Sequence, residues 1–327
     1  MPFSRADYCP TTDGNDVAQF LHDEIVGKTI VITGVSPHTL GSEFTLTIAA
    51  HAPKLIVIAA RSVDKLAQVA EEIKGKYPDV AVKTLQVDLA SFESARKAGD
   101  ELMSWEDVPL IDVLVNNAGV MATPYRKTVD GFESQFATNH LGHFIFTGRI
   151  MPKLLAAATA GREPRIVNIT SNGHRMHGVN WDDVNWSDGK TYDLWAAYGQ
   201  SKTANVLFSV ALAERYAGRV AAFAVHPGLI VETNLGKHLD MDKILKLLHG
   251  EMKPEPDRPL IEKTLQQGVS THVVAAFDPE IKKDSGRYLA DCVVADSSRV
   301  KEWATDKDYA KRLWELSEQV TGQKYAA

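Results

Sequence analysis

Short runs of β-branched and aliphatic residues recur along the chain, separated by stretches whose apolar positions return every three or four residues. The runs predict strands at Thr29–Thr33, Leu55–Ala60, Val82–Val87, Asp112–Asn116, Arg165–Thr170, Val220–His226 and Arg287–Val293. Most lack polar alternation, as strands covered on both faces do. The helical periodicity predicts helices over Gly41–Ala52, Val63–Tyr77, Ser91–Ser104, Gly131–Ala158 and Ala196–Ala217. Strand–helix alternation of this kind predicts an α/β fold: a doubly wound parallel sheet of about seven strands with helices on both faces.

Three stretches break the rhythm. Residues 1–20 are polar and turn-rich, which predicts a surface arm ahead of a single domain at 21–327. Residues 173–195 gather Trp181, Trp186 and Trp195 among Asp182, Asp183 and Asp188. Residues 235–275 predict one helix around Leu239, Ile244, Leu245 and Leu248 and a second after the Pro254–Pro259 break. Both later stretches follow strand ends, where ligand clefts of open α/β sheets lie, so the first is expected as a substrate loop and the second as a lid.

Composition changes this picture little. A chain of 327 residues that is 44% hydrophobic and 24% charged can bury a sizeable core. Its net charge of −6 comes without blocks of like charge, so neither nucleic acid nor an anionic membrane is expected as a partner. Two cysteines, Cys9 and Cys292, do not make a disulfide framework. With no signal-peptide pattern and no apolar run long enough to span a bilayer, a cytoplasmic protein is expected.

Candidate chemistry begins where the first strand enters Thr33–Gly41. A turn feeding a helix N-terminus presents free N–H groups and a positive dipole end to a pyrophosphate, which nominates Gly34, Ser36, Leu40 and Gly41. The second strand ends in Ala60-Arg61, with Lys65 one turn on. An acidic residue there would take the ribose hydroxyls of NAD, whereas an Arg accommodates a 2′-phosphate, so NADP(H) is expected. Asp88 and Leu89 are candidates for the adenine, and Asn116, Asn117 and Ala118 for the cofactor crevice. Further on, Tyr198 and Lys202 sit four apart on a predicted helix, and therefore on one face. A nearby cation lowers a phenol's pKa toward the working pH, and Ser171 at a strand end could grip a carbonyl oxygen.

Taken together, Thr33-Gly34…Gly41, Asn116-Asn117-Ala118-Gly119, Asn139, Ser171, Tyr198-x-x-x-Lys202 and His226-Pro227-Gly228 resemble the short-chain dehydrogenase/reductase family. The stretch Asn139–Phe144 and the run Arg165–Ser171 are most similar to its retinol-dehydrogenase-like branch and fungal relatives. The resemblance implies a Rossmann-type fold and an NADP(H)-dependent oxidoreductase moving a hydride between nicotinamide and a carbonyl/alcohol substrate. It implies a tetrad: Tyr198 as general acid/base, Ser171 on the substrate oxygen, Lys202 on the nicotinamide ribose, and Asn139 holding a water. Pro227, Gly228, Ile230, Val231 and Thr233 would line the nicotinamide. It further implies fungal secondary metabolism and a homodimer through the two long helices, with Ala197, Ala204 and Ala211 on one packing face.

Three departures stand out. The cofactor turn carries His38-Thr39 in place of its middle glycine, with one residue extra, which predicts weakened cofactor binding. The Pro227–Thr233 segment is one residue longer than usual. The separation between Ser171 and Tyr198 is about twice the usual one, so the Trp-rich loop is expected to wall a pocket for a hydrophobic substrate. His174 and His177 lack a convincing third ligand, and no metal is expected. The alternative function is a nucleotide-sensing protein that kept the fold and lost turnover.

Overall fold

The computed structural model describes residues 3–236, 239–240 and 261–327. Strands β1 (Thr29–Thr33), β2 (Leu55–Ala60), β3 (Ala81–Gln86), β4 (Val113–Asn116), β5 (Arg165–Ile169), β6 (Ala221–His226), β7 (Tyr288–Ala290) and β8 (Val293–Val294) form one sheet. The order is β3-β2-β1-β4-β5-β6-β7-β8, parallel throughout except for the β7–β8 pair. The sheet reverses its winding between β1 and β4, where a crevice opens above the strand ends.

Why the strands read as unbroken apolar runs is now visible. Ile30, Ile32, Ile56, Ile58, Val113 and Val115 face one core, which Phe44 and Ile48 of α3 (Leu40–Ala49) and Leu66 and Val69 of α4 (Val63–Lys76) close. Val31, Val57, Leu114 and Ile166 face the other. That core is covered by α5 (Phe92–Ser104), α7 (Gly142–Thr159) and α8 (Leu194–Arg215). Strands β1, β2, β4 and β5 thus bury both of their faces, while the edge strand β3 leaves most of its residues exposed or half-buried.

The structure corrects several expectations. The first twenty residues are more than a surface arm. Helix α1 (Gly14–Phe20), followed by the single turn α2 (His22–Ile25), buries Val17, Ala18 and Ile25. Arg5 pairs with the buried Asp278 carboxylate through Nη2 at 2.7 Å. The predicted helix 131–158 begins three residues late, with the turn α6 (Ser134–Phe136) capped by the buried Glu133. It then widens into a π-type turn at Ala137–Leu141 before α7. The predicted strand Arg287–Val293 is a hairpin: Asp291 and Cys292 adopt positive φ (54° and 64°) and send the chain back as β8.

The lid expected at 235–275 divides. Its first helix lies largely outside the described residues. Its second half is α9 (Leu265–Phe277), N-capped by Thr264 and buried from Gly268 onward against α1 and α3, a core helix and not a lid. The small-residue stripe expected at a subunit contact is spent within one chain, because Ala197, Ala204 and Ala211 are all buried. The C-terminal helix α11 (Lys307–Thr321), which follows the turn α10 (Glu302–Thr305), packs along α8. Trp314 meets Phe144 edge-on and Phe208 at a tilt, and Tyr325 donates to the Phe144 carbonyl at 2.7 Å.

Candidate active site

One cleft of about 920 Å³ runs over the carboxyl ends of the strands, and most of the nominated residues line it. At its cofactor end Gly34 takes φ +76°, and a Cβ there would stand 2.6 Å from Ala118 Cα. A Cβ on Gly41 would stand 2.7 Å from the Gly34 carbonyl oxygen. The two glycines let three backbone segments converge, the cradle a pyrophosphate requires. Ser36, Thr39 and Leu40 line it. Thr39 caps α3, its hydroxyl accepting from Ser42 N at 3.3 Å. His38 carries the left-handed φ of +58° and is exposed. It is not among the residues that line the cleft, whereas Thr39 is.

Next to the cradle, Ala60, Arg61, Ser62 and Lys65 line the cleft. Neither Arg61 nor Lys65 has a carboxylate partner among the described residues. Asp88 and Leu89 lie beside them, the Asp88 carboxylate accepting from Ala90 N at 3.0 Å. Asn117, Ala118 and Gly119 also face the cleft. Asn116 does not. It is buried, and its amide donates to Asn168 Oδ1 at 2.8 Å and Thr147 Oγ1 at 3.0 Å, so it braces β4 against β5 and α7. Asn116 is still in β4, between β5 and α7, whereas Asn117 lies past the strand end.

A brace absent from the sequence reading ties the turn to the loop after β4. Thr33 Oγ1 accepts from both Asn117 N (3.0 Å) and Ala118 N (3.1 Å). Its proton is therefore given to His143 Nε2 at 2.8 Å, leaving His143 Nδ1 to donate to the Asn139 carbonyl at 3.1 Å. The Asn139 carboxamide makes three hydrogen bonds: Oδ1 accepts from Val120 N, and Nδ2 donates to Val120 O and Ser201 Oγ, all within 2.9 Å. A water held by Asn139 would take the second lone pair of Oδ1, because both Nδ2 protons are engaged and the main-chain oxygen already accepts from His143.

At the chemical end, α8 places Tyr198 and Lys202 one turn apart, the ammonium 5.6 Å from the phenol ring centre. Both are buried at the cleft floor. Burial pushes the Tyr198 phenol up to about 12, partly opposed by the Ser171 hydroxyl beside it. Burial also drives Lys202 down to about 8. Lys202 Nζ donates to Ile169 O at 3.1 Å. Ser171 leaves β5 and caps the turn Asn172–Arg175, accepting from Gly173 N at 3.0 Å. His174 Nδ1 donates to the Ser171 carbonyl at 2.7 Å, while its Nε2 accepts from Lys301 N at 3.3 Å. Gly173 passes directly under the Tyr198 ring, where a Cβ would come within 2.7 Å of Cε1.

Pro227, Gly228, Ile230, Val231 and Thr233 line the cleft beyond β6. Gly228 has φ +98° and packs on the Lys263 side chain. Lys263 is buried and paired with Asp291 at 2.7 Å, which also holds Arg299 at 2.7 Å. This triad was not legible, since its members lie 28 and 8 residues apart. The Trp-rich loop is only partly a wall. Trp195 lines the cleft, but Trp181 packs on Tyr309 and Arg312, and Trp186 on His177 and Tyr192.

The short chain dehydrogenase family profile matches residues 28–183. Human retinol dehydrogenase 14 is 34% identical over 309 residues, covering 90% of this chain and 87% of that protein. The chloroplastic short-chain dehydrogenase TIC 32 A of Brassica napus is 36% identical, covering 80% and 79%. Among solved structures, an uncharacterized protein from Mycobacterium Paratuberculosis superposes with a TM-score of 0.68 at 27% identity, each chain fully covered. With this likeness added to the glycine cradle and the buried Tyr–Lys pair, the chain belongs to the short-chain dehydrogenase/reductase family of nicotinamide-dependent oxidoreductases, as a retinol-dehydrogenase-like member.

Proposed function

We propose that the chain is an NADP(H)-dependent oxidoreductase interconverting a carbonyl and an alcohol on a largely apolar substrate, with Tyr198 as general acid/base. The observation that carries this reading is convergence: Ser171, Tyr198 and Lys202 line one end of a cleft whose other end carries Arg61 and Lys65. The residues fit a dinucleotide. Gly34 and Gly41 leave room where any Cβ would collide, and Arg61 and Lys65 face the cleft without a carboxylate partner among the described residues. Bound there, the cofactor would supply or accept the hydride. Arg61 and Lys65 would hold its 2′-phosphate, the turn from Gly34 to Gly41 its pyrophosphate, and Lys202 its nicotinamide ribose.

The chain's own residues then handle the proton. Ser171 Oγ fixes the substrate oxygen, and the Tyr198 phenol donates to it as negative charge develops. A phenol held up at about 12 stays protonated at neutral pH, which suits donation and hence carbonyl reduction. Lys202, lowered only to about 8, remains mostly cationic below that pH and stabilises the phenolate left behind. Met121, Met176, Trp195 and Leu229 make the substrate end largely apolar. The cytoplasmic setting and the place in fungal secondary metabolism belong to the same proposal, resting on sequence pattern and resemblance. Among the described residues no helix is long and apolar enough to cross a membrane.

The test is loss or gain of absorbance at 340 nm with NADPH or NADP⁺ and a panel of aldehydes, ketones and alcohols. Tyr198→Phe should lower kcat by about 10²–10⁴-fold and leave cofactor binding intact. A Phe variant retaining more than about a third of the turnover would remove Tyr198 from the reaction.

A further inference from the structure

The substrate end of the cleft is apolar but not neutral. Two cations line it, Arg175 and Lys301, and both are half-buried. They are brought there by one residue: Arg175 follows His174 in the turn that starts at Ser171, and the Lys301 main chain donates to His174 Nε2 at 3.3 Å. Both therefore stand close to the oxygen-gripping hydroxyl, from segments 126 positions apart in the chain.

Neither is neutralised. Arg175 gives one N–H of Nη1 to the Ser298 carbonyl at 3.0 Å, and Lys301 rests its ammonium 5.4 Å from the Trp303 ring centre. No carboxylate forms an ion pair with either among the described residues. The acid lining that end, Asp193, has its Oδ1 engaged by Trp195 N and Ala196 N at the start of α8. The cofactor phosphates do not account for them either, because the pyrophosphate cradle and Arg61 lie at the other end, across β1, β2 and β4. Charge withdrawn from water along a cleft wall, with no internal partner, is stabilised when a ligand brings the opposite charge.

We infer that the substrate carries an acidic group, a carboxylate or its equivalent, on the apolar body whose carbonyl or alcohol reacts at Tyr198, and that Arg175 and Lys301 select it. This rests on the oxidoreductase reading above and narrows its substrate class to amphipathic oxo- or hydroxy-acids. The acid contributes no bond change: the hydride and proton go to the carbonyl as before, and the carboxylate only binds.

The experiment compares medium-chain ω-oxo fatty acids of graded length with their methyl esters, which share the reacting aldehyde and differ in terminal charge. With NADPH, kcat/KM should favour the acid by about tenfold at the best length, a ratio that corresponds to about 1.4 kcal/mol. The preference should shrink as salt is raised. Arg175→Met with Lys301→Met should bring the acid/ester ratio toward one. Arg175→Lys with Lys301→Arg should retain most of the preference, which a loss of local packing would not. Esters reduced as well as acids at every length would overturn this inference and leave the oxidoreductase reading standing. No turnover of acids, esters or the neutral panel, in a protein that binds NADPH, would instead refute the oxidoreductase reading and this one with it.

Discussion

Replacing Gly173 by Ala tests the geometry of the site more sharply than removing a catalytic group. The added Cβ would fall 2.7 Å from Tyr198 Cε1, 2.9 Å from Cδ1 and 3.3 Å from Met176 Cε. Ordinary contact begins near 3.4 Å, so going from 2.7 to 3.4 the ring must retreat by at least 0.7 Å. It has little room to do so, being buried against Gly173 on one side and edge-on to Trp195 on another. A ring that pivots about its Cβ moves its hydroxyl further than its Cε1, which takes the proton donor about 1 Å from its place beside Ser171. Misplacement on that scale costs about 10²-fold in rate. Overpacking of this kind costs about 1–3 kcal/mol of stability, so the fold should survive. The assay is kcat at saturating NADPH, with the cofactor Kd from fluorescence titration and Tm from a thermal scan. The expected result is kcat down about 10²-fold with a cofactor Kd changed by no more than about twofold. A variant whose kcat stays within about threefold of the parent would refute the claim that Gly173 sets the position of Tyr198.

Three further predictions use other parts of the structure. Arg61→Ala should weaken NADP⁺ about tenfold and leave NAD⁺ nearly unaffected; Arg61 is exposed, so solvent screens part of what its charge-assisted hydrogen bonds would contribute. Equal kcat/KM with NADPH and NADH in the parent enzyme would contradict the role given to Arg61. His38→Gly should leave the NADP⁺ Kd unchanged while raising stability by up to about 1 kcal/mol, because the exposed side chain occupies a left-handed φ of +58°; a tighter Kd by calorimetry would mean the side chain does reach the cradle. Burial holds His143, His174 and His272 down to about 4 and His140 to about 3, against an ordinary 6.5. The folded state thus disfavours their protonation, so their contribution is fully present above pH 6.5 and is lost as pH falls through 4, about 3 kcal/mol for each group held at 4. Tm should drop steeply between about pH 6.5 and about pH 4, and a flat profile there would contradict neutral burial.

Much of the framework could be read from pattern alone. β1 and β2 fall at the predicted residues because their runs are apolar on both faces, and the sheet buries both. The Tyr198–Lys202 pair follows from helical spacing, and Arg61 from its place at a strand tip. The errors have local causes. Arg287–Val293 read as one strand because nothing in Asp291-Cys292 announces two left-handed residues, which are held by the pairing of Asp291 with Lys263 and Arg299. Asn116 was grouped with Asn117 as a crevice residue, yet β4 ends at Asn116, and the packing of β5 and α7 against it decides that its amide is inside.

The sequence by itself therefore determined the order of elements, the doubly wound sheet and most of the positions that line the cleft, because these depend on periodicity and on spacing along one strand or helix. Tertiary structure alone decided what surrounds those positions. It took Thr33 to His143, Asn139 to Val120, Ser171 to His174 and Tyr198 to Gly173, each contact but one closing between separate elements. It also put Arg175 and Lys301 on the wall of one cleft and turned the small face of α8 inward. Contacts between residues far apart in the chain leave no periodic trace in it, since what joins them is the packing of whole elements against a common sheet.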